Sequence, residues 1–331
     1  MKDFYKLYSV GKNTKKPYSR GKSFGYQILG FGSGVSSIAI RGLWAGGLTP
    51  SNQNVIDFVE IATLGNASDF GNLTANKART SGTANTTRGI FFGGHTPSRL
   101  ATIDFIEVAT EGNASDFGDL SAVAQFGAAG NNGTRAVNAL GDTNDSATNV
   151  IEFVTIASVG NTTDFGDVTA ARTALGECAS AVRIVYMGGN GGAGSIGNYD
   201  IMDFVTTASA GNATDFGNLT GVNSAGSGCG SGTRGVHMGG NANSENTIEF
   251  ITIASAGNSQ DFGDLTSVSN NSGAACSSPT RGLKSIGSNP NLTAQIDFIT
   301  IASVGNSEDF GDLSVARNFN GGLSNGNGGL Q

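Results

Sequence analysis

Charge is scarce in this chain: only 14% of its 331 residues are Asp, Glu, Lys or Arg, and it has five prolines, three cysteines, two histidines and one tryptophan. Each shortage excludes something. Three cysteines cannot build a disulfide framework. His95 and His237 lie at no metal-ligand spacing with each other or with a cysteine, so no zinc-type ligand set is present. No apolar run approaches the ~18 residues a spanning helix needs. The start, Met1-Lys2-Asp3-Phe4-Tyr5-Lys6, lacks the continuous apolar stretch of a secretory signal. No Ser, Cys or Lys nucleophile sits in a recognisable motif, and nothing points to a cofactor.

Glycine, by contrast, is abundant, at 52 residues and without a collagen period. Spread among short apolar runs with Asn, Ser and Thr, it reads as many tight turns joining short strands. The net charge of −7 divides unevenly. Residues 1–22 carry Lys2, Lys6, Lys12, Lys15, Lys16, Arg20 and Lys22 against Asp3, a balance of +6, while the remainder holds −13. An acidic body argues against nucleic-acid binding by the body itself, because phosphate contact needs clustered cations.

Aligned on Asp-Phe-Gly, the chain falls into six copies, with Asp69, Asp116, Asp164, Asp215, Asp261 and Asp309 spaced by 47, 48, 51, 46 and 48 residues. Twelve residues before each stands an acidic-aromatic pair: Asp57-Phe58, Asp104-Phe105, Glu152-Phe153, Asp203-Phe204, Glu249-Phe250 and Asp297-Phe298. An arginine opens a short apolar run at Arg41, Arg88, Arg135, Arg183, Arg234 and Arg281. Four runs end in Gly-Gly; the third and sixth keep only Gly141 and Gly287. Each copy thus reads as an arginine-led strand, a variable loop, an Ile-Asp-Phe-type strand, Asp-Phe-Gly, and a Gly/Ser/Ala-rich strand. No segment of the body sustains a helical period. Four short strands in 46–51 residues is a propeller blade, so the expected fold is an all-β, six-bladed β-propeller over residues 31–331, with an N-terminal extension over 1–30. A β-helix would need matching half-repeats of ~20–30 residues, and these halves do not match. The tail after Asp309 supplies one strand for a blade begun near Arg41, which would close the ring; residues 32–40 are the other candidate for that strand.

Gly-Gly, Asp-Phe, a later aromatic followed by Leu, and Ala-Arg (Ala78-Arg79, Ala171-Arg172, Ala316-Arg317) are similar to the kelch repeat, with Phe70, Phe117, Phe165, Phe216, Phe262 and Phe310 where kelch usually has Trp. The wording Ile-Asp-Phe-Ile-Thr-Ile-Ala-Ser-x-Gly-Asn-x-x-Asp-Phe-Gly-Asp-Leu, with Tyr26-Gln-Ile-Leu-Gly-Phe-Gly-Ser33 upstream, resembles repeat proteins of marine tailed bacteriophages over nearly all of the chain from residue 26. That resemblance implies a virion structural protein of the tail or fibre apparatus, and no known activity.

The acidic residues are numerous enough to suggest paired carboxylates or calcium ligands. Six-fold recurrence argues against catalysis, which needs one asymmetric site, and the spacing fails the calcium-loop pattern. The structural reading makes Asp-Phe-Gly a turn whose carboxylate accepts backbone N–H bonds, whose Phe enters the core and whose Gly takes positive φ. The six arginines are expected to pair with acidic residues of their own or a neighbouring blade. The twelve repeated phenylalanines are expected in the core. Cys178, Cys229 and Cys276, each five residues before the arginine of its copy, replace small residues and are expected to be reduced and buried. Asn66, Asn72, Asn113, Asn161, Asn212 and Asn218 fit the glycosylation pattern and are read as turn chemistry.

Function is expected where the copies differ. The loops after Gly-Gly carry Asn52, Gln53, His95, Arg99, Asp142, Asn144, Asn198, Tyr199, Asn243, Glu245, Asn289 and Asn291, polar groups suited to glycan or protein contact and expected on one face. The arm interleaves its cations with Phe4, Tyr5, Tyr8 and Tyr18, as an anchor that orders on docking would; a free tail and a nucleic-acid contact are the other readings. The leading expectation is a non-enzymatic virion component, in the tail or fibre region or on the capsid surface. It would contact other virion proteins through the arm and a host-surface glycan or receptor through the propeller. The alternatives are a lectin-like glycan-binding module, a capsid decoration protein and, more weakly, a propeller glycan hydrolase.

Overall fold

The computed structural model describes residues 39–192, 197–241, 246–269 and 273–326. The arm, with all its candidate anchor residues, lies outside these, as do Asn243 and Glu245. Every described element is a strand, and among the described residues no helix is long and apolar enough to cross a membrane. Residues Ile40–Gln331 form one compact unit.

Six four-stranded antiparallel sheets form the blades of a propeller. In blade 2 the order from the axis outward is Ser81–Ala84, Arg88–Phe92, Leu100–Glu107 and Ser115–Ala124. The innermost strands touch in a closed cycle, which puts the Gly/Ser/Ala-rich strand of each copy at the axis. Closure comes from the C-terminal strand: Gly321–Ser324 pairs with Arg41–Ala45, so blade 1 is built from both ends of the propeller unit and its inner edge is covered.

The core lies between blades. The arginine-led strand is buried on both faces in every copy, which explains its lack of alternation. Each Asp-Phe-Gly phenylalanine is buried and meets the third-strand phenylalanine edge-to-face, at 5.8–6.1 Å and 74–82°, which accounts for the fixed offset of twelve residues. The third-strand phenylalanines are only half-buried; each is covered by its own blade's repeat arginine, with the guanidinium carbon 4.4–5.0 Å from the ring centroid.

The expected pairing of the six arginines with acids holds for two of them and is corrected for the other four. Arg88 meets Glu107 at 2.9 Å and Arg41 meets Glu111 at 3.4 Å, both exposed acids. Arg135, Arg183, Arg234 and Arg281 instead donate to main-chain carbonyls of the next blade, as Arg281 does to Ile61 and Ala62. The guanidinium crosses the blade boundary, where the neighbour presents carbonyls at the end of its third strand.

The expected Asp-Phe-Gly turn is corrected as well. The triplet is a bulge in the outermost strand: Ile56 pairs with Gly71 and Asp57 with Asp69, leaving Phe70 as the extra residue. Its glycine does take positive φ (149° at Gly71), and a Cβ there would strike Gly112 O of the next blade. The carboxylates of Asp69, Asp116, Asp164, Asp215, Asp261 and Asp309 are exposed, because the bulge turns them outward.

The acids before the phenylalanine are the buried ones. Each accepts from a Ser or Thr of the preceding blade. Thr74 donates to Asp104 from Oγ1 (2.8 Å) and from its backbone N–H (3.1 Å), and Ser314 does the same to Asp57 across the ring closure. Ser121, Thr169, Thr220 and Thr266 serve Glu152, Asp203, Glu249 and Asp297. A second cation set joins them: Lys77 lies 3.1 Å from Asp104, Arg317 3.0 Å from Asp57, and Arg172 contacts Asp203, all fully buried. Counted from Asp-Phe-Gly, the equivalent of Arg172 and Arg317 is therefore Lys77, not Arg79.

At the rim a Gly-Asn turn clasps the preceding blade. Gly112 N–H donates to Phe70 O (2.8 Å), and Asn113 Oδ1 accepts from Asn72 N–H (3.0 Å). Asn66, Asn161 and Asn212 repeat that contact. Only a backbone N–H is needed opposite the asparagine, so the position alternates between Asn and Asp. The three thiols are free and buried, and each packs against a glycine of the next blade, as Cys229 does on Gly282 and Cys276 on Gly42.

Candidate functional site

The loops after the second strand all leave on one face, which also carries the crossovers from each outermost strand to the next innermost one. Gly-Gly is required there by backbone shape: Gly93 and Gly94 have φ of 58° and 117°. Where Leu140 and Ile286 replace the first glycine, the side chain is buried instead.

The loop residues are partly brought together. Asn52 Nδ2 donates to His95 O (2.8 Å), linking blades 1 and 2. Arg99 bridges Asp142 (2.9 Å) and Asp145 (2.5 Å) of blade 3, and Gln125 Nε2 also donates to Asp142 (2.8 Å). Burial, then Arg79 and Arg99, hold the His95 imidazole below its ordinary pKa. Gln53 folds back onto Ser51 O in its own hairpin (2.9 Å). Asn144 and Asp145, with φ of 50° and 64°, form the turn of another. Asn198 bridges the backbone of Asn190, Tyr199 opens a third strand, and Asn289 faces Asn291 across a small hairpin.

Sequence reasoning missed what stands at the centre of this face. Arg79, Phe126, Ala174, Ala225 and Phe319 occupy equivalent crossover positions, all with φ of 54–63°. Each of the four links described passes an N–H to the neighbour's carbonyl: Arg79 to Phe319, Phe126 to Arg79, Ala174 to Phe126 and Ala225 to Ala174, at 2.7–3.0 Å. Left-handed backbone is costly for residues other than glycine, and it persists here because the collar fixes it. The collar is uneven. Arg79 lies 4.9 Å and 5.2 Å from the rings of Phe126 and Phe319, which meet edge-to-face at 5.5 Å, whereas blades 3 and 4 contribute only alanines.

Below the collar lies a cavity of about 90 Å³ on the axis, lined chiefly by Gly and Ala of the innermost strands. Glu177 is the one acidic residue of that lining, which also includes Arg79, Phe126 and Phe319 of the collar. In the other copies its place is taken by Gly82, Ala129, Gly228, Ala275 and Gly322. Burial pushes the Glu177 carboxyl up to about 8, and Oε2 is enclosed without a hydrogen-bond partner among the described residues. Nearby, His237 is pushed down to about 4 by burial and by Lys284, and burial brings Lys284 down to about 7. A column alignment of the innermost strands would have singled out Glu177; nothing in one copy alone marks Arg79, Phe126 or Phe319.

Among the described residues no group of three or more His, Cys, Asp or Glu is arranged to hold a metal ion. No family model and no curated protein matches the chain.

Proposed function

We propose that the protein is a non-enzymatic interaction module of a virion, tail- or fibre-associated, using its loop face for contact and residues 1–30 as its anchor to other virion proteins. One observation carries the non-enzymatic part. The acids that recur in every blade are either committed to hydrogen bonds between blades or exposed on the outer strand, so the six-fold chemistry is spent on holding the ring. The departures from symmetry gather on the loop face, at Arg79, His95, Arg99, Phe126, Asp142 and Phe319. The virion assignment rests on the sequence resemblance. A lectin-like reading is favoured by one feature, the two phenylalanines flanking a guanidinium beside polar loops, a composition suited to a sugar face.

Deleting residues 1–25 is expected to abolish incorporation into particles while the propeller keeps its unfolding transition; normal incorporation overturns the anchor. Arg99→Ala with Phe126→Ala is expected to lower binding of particles to host cells at unchanged particle yield. Unchanged binding removes the loop face as the contact, and a glycan array without hits removes the lectin reading.

A further inference from the structure

We propose that the collar at the mouth of the axial cavity binds one carboxylate group at Arg79, of the kind an acidic sugar carries. The carboxylate rests on the local geometry alone; its assignment to a sugar rests on the reading of the loop face as a contact surface. The collar residues that line the cavity, Arg79, Phe126, Ala174, Ala225 and Phe319, all keep part of their surface exposed, so it is reached from that face.

Arg79 stands apart from every other described arginine. Each of those is bonded to a carboxylate, to main-chain carbonyls or to both, as Arg99 is to Asp142 and Arg281 to Ile61. Arg79 makes one hydrogen bond, from Nη1 to Gln125 Oε1 at 3.0 Å, and no salt bridge among the described residues. That bond and the contacts with the two phenylalanine rings hold the guanidinium in place and leave its Nε–Nη2 edge without a partner. This is an edge on which a guanidinium takes a carboxylate with two parallel bonds. Burial, then Arg99, lower the Arg79 pKa, the mark of a poorly hydrated cation that an anionic ligand would stabilise.

Two further donors lie beside it. Thr80 and Asn320 line the cavity and are only 7% and 5% exposed, yet Thr80 Oγ1 and Asn320 Nδ2 are enclosed without a partner among the described residues. Asn320 Oδ1 accepts from Ala274 N–H (3.0 Å) and Ser285 Oγ (3.2 Å), which fixes the amide and leaves its NH2 as the free end. Thr80 Oγ1 lies against Gly321, the residue after Asn320, and Arg79 N–H donates to Phe319 O (2.7 Å). The three donors therefore come from two adjoining crossovers. Buried donors are almost always bonded, so unbonded ones in the wall of a cavity mark where a ligand's oxygens sit. The other crossovers have Gly127, Leu175, Gly226 and Gly273 where Thr80 and Asn320 stand, so these donors gather on one side of the mouth.

The lining puts no charged carboxylate in an anion's way at neutral pH. The Glu177 Oε2 is turned into the boundary between blades 3 and 4, where a Cβ on Gly130 would lie 3.0 Å from it, and burial keeps that carboxyl protonated, with its pKa pushed up to about 8. Lys284 donates to Ser227 Oγ (2.9 Å) and Gly273 O (3.2 Å), both residues of the lining, so any charge it holds favours an anion. The cavity of about 90 Å³ admits a carboxylate together with water, since a single water needs roughly 10–15 Å³ measured in this way. The sugar ring would then lie over Phe126 and Phe319, which are half-buried and offer it apolar surface.

The test is titration calorimetry of the full chain at pH 7 and matched ionic strength with glucuronate, galacturonate, acetate, inorganic phosphate and the neutral sugars glucose and galactose. A uronate is expected to bind in the millimolar range at one site per chain, and the neutral sugars are expected not to bind. Arg79→Lys keeps the charge without the fork and should weaken the uronate by about tenfold or more. Asn320→Asp keeps the acceptor for Ala274 and Ser285, sets a negative charge beside the site and should abolish binding. Thr80→Val, uncharged and close in shape, should weaken it less; unfolding midpoints near the parent's show that the variants fold. Acetate binding as tightly as the uronates keeps the carboxylate site and assigns it to a free organic acid in place of a glycan. No binding of any carboxylate, equal binding of the neutral sugars, tighter binding of phosphate, or affinity unchanged in folded Arg79→Lys each overturns the proposal. Loss of particle binding to host cells in Arg99→Ala with Phe126→Ala, from a parent that takes up no carboxylate, overturns this site and leaves the loop face as the contact.

Discussion

Asp203 and Glu152 occupy the same place in adjacent blades, yet Asp203 meets a buried arginine and Glu152 has no salt bridge among the described residues. Both accept from a backbone N–H of the preceding blade, at Thr169 and Ser121. Where Arg172 stands before Asp203, Ala124 stands before Glu152. The glutamate reaches one methylene further into space that the cation would fill, and Thr162 Oγ1 satisfies it at 2.6 Å. Lys77 and Arg317 repeat the first solution with Asp104 and Asp57, and Asn223 stands where a cation would precede Glu249. In blade 6 Lys284 approaches Asp297 from the neighbouring strand, while Ser269 holds the usual cation position. The Ser or Thr donor is constant and the cation is optional, so a buried charge pair is one of several ways to fill the same space.

The largest expected effect comes from breaking that exchange halfway. Arg172→Ala should cost about 3–5 kcal/mol in urea unfolding, by stranding Asp203 without its cation. Adding Asp203→Glu, which copies the neighbouring interface, should recover at least half; no recovery would mean the two interfaces are not equivalent. Next, Gly282→Ala places a Cβ 2.7 Å from Cys229 Sγ and should cost about 1–3 kcal/mol. A compensating Cys229→Ala should remove most of that loss, and additive losses would show that the thiol is not what limits the site. Arg135→Ala removes bonds to Thr207 O and Ala208 O and the contact with Phe153. It should cost about 1–2 kcal/mol, less than Arg172→Ala, because one of its carbonyl partners belongs to the exposed Ala208 and no buried charge is stranded. Asp116→Ala should stay within about 0.5 kcal/mol despite the six-fold recurrence of that aspartate, since its carboxylate is exposed. A large loss there would reverse the assignment of buried and exposed acids.

Much of the frame was legible in the chain. The number of blades, the order of strands along the chain and the positive φ of the Asp-Phe-Gly glycine follow from the repeat and from Cβ sterics. The Ser or Thr following each Asp-Phe-Gly-x-Leu or -Val was equally regular, yet its role was missed, because its partner lies 29–34 residues away along the chain, or 257 at the closure. The candidate loop cluster was half-read. His95, Arg99 and Asp142 meet because their loops share a face, while Gln53 and Asn144 serve their own turns.

By itself, then, the sequence determined a closed ring of six similar blades, since each copy can bury its apolar faces only against another copy. The tertiary structure alone decided which of two recurring acids is buried, because one bulged residue turns the outermost strand's carboxylate to solvent. It also decided that the C-terminal strand rather than residues 32–40 closes blade 1. And it put Glu177 on the axis, because the position of a residue relative to the channel depends on which strand of the blade is innermost, and closure of the ring settles that.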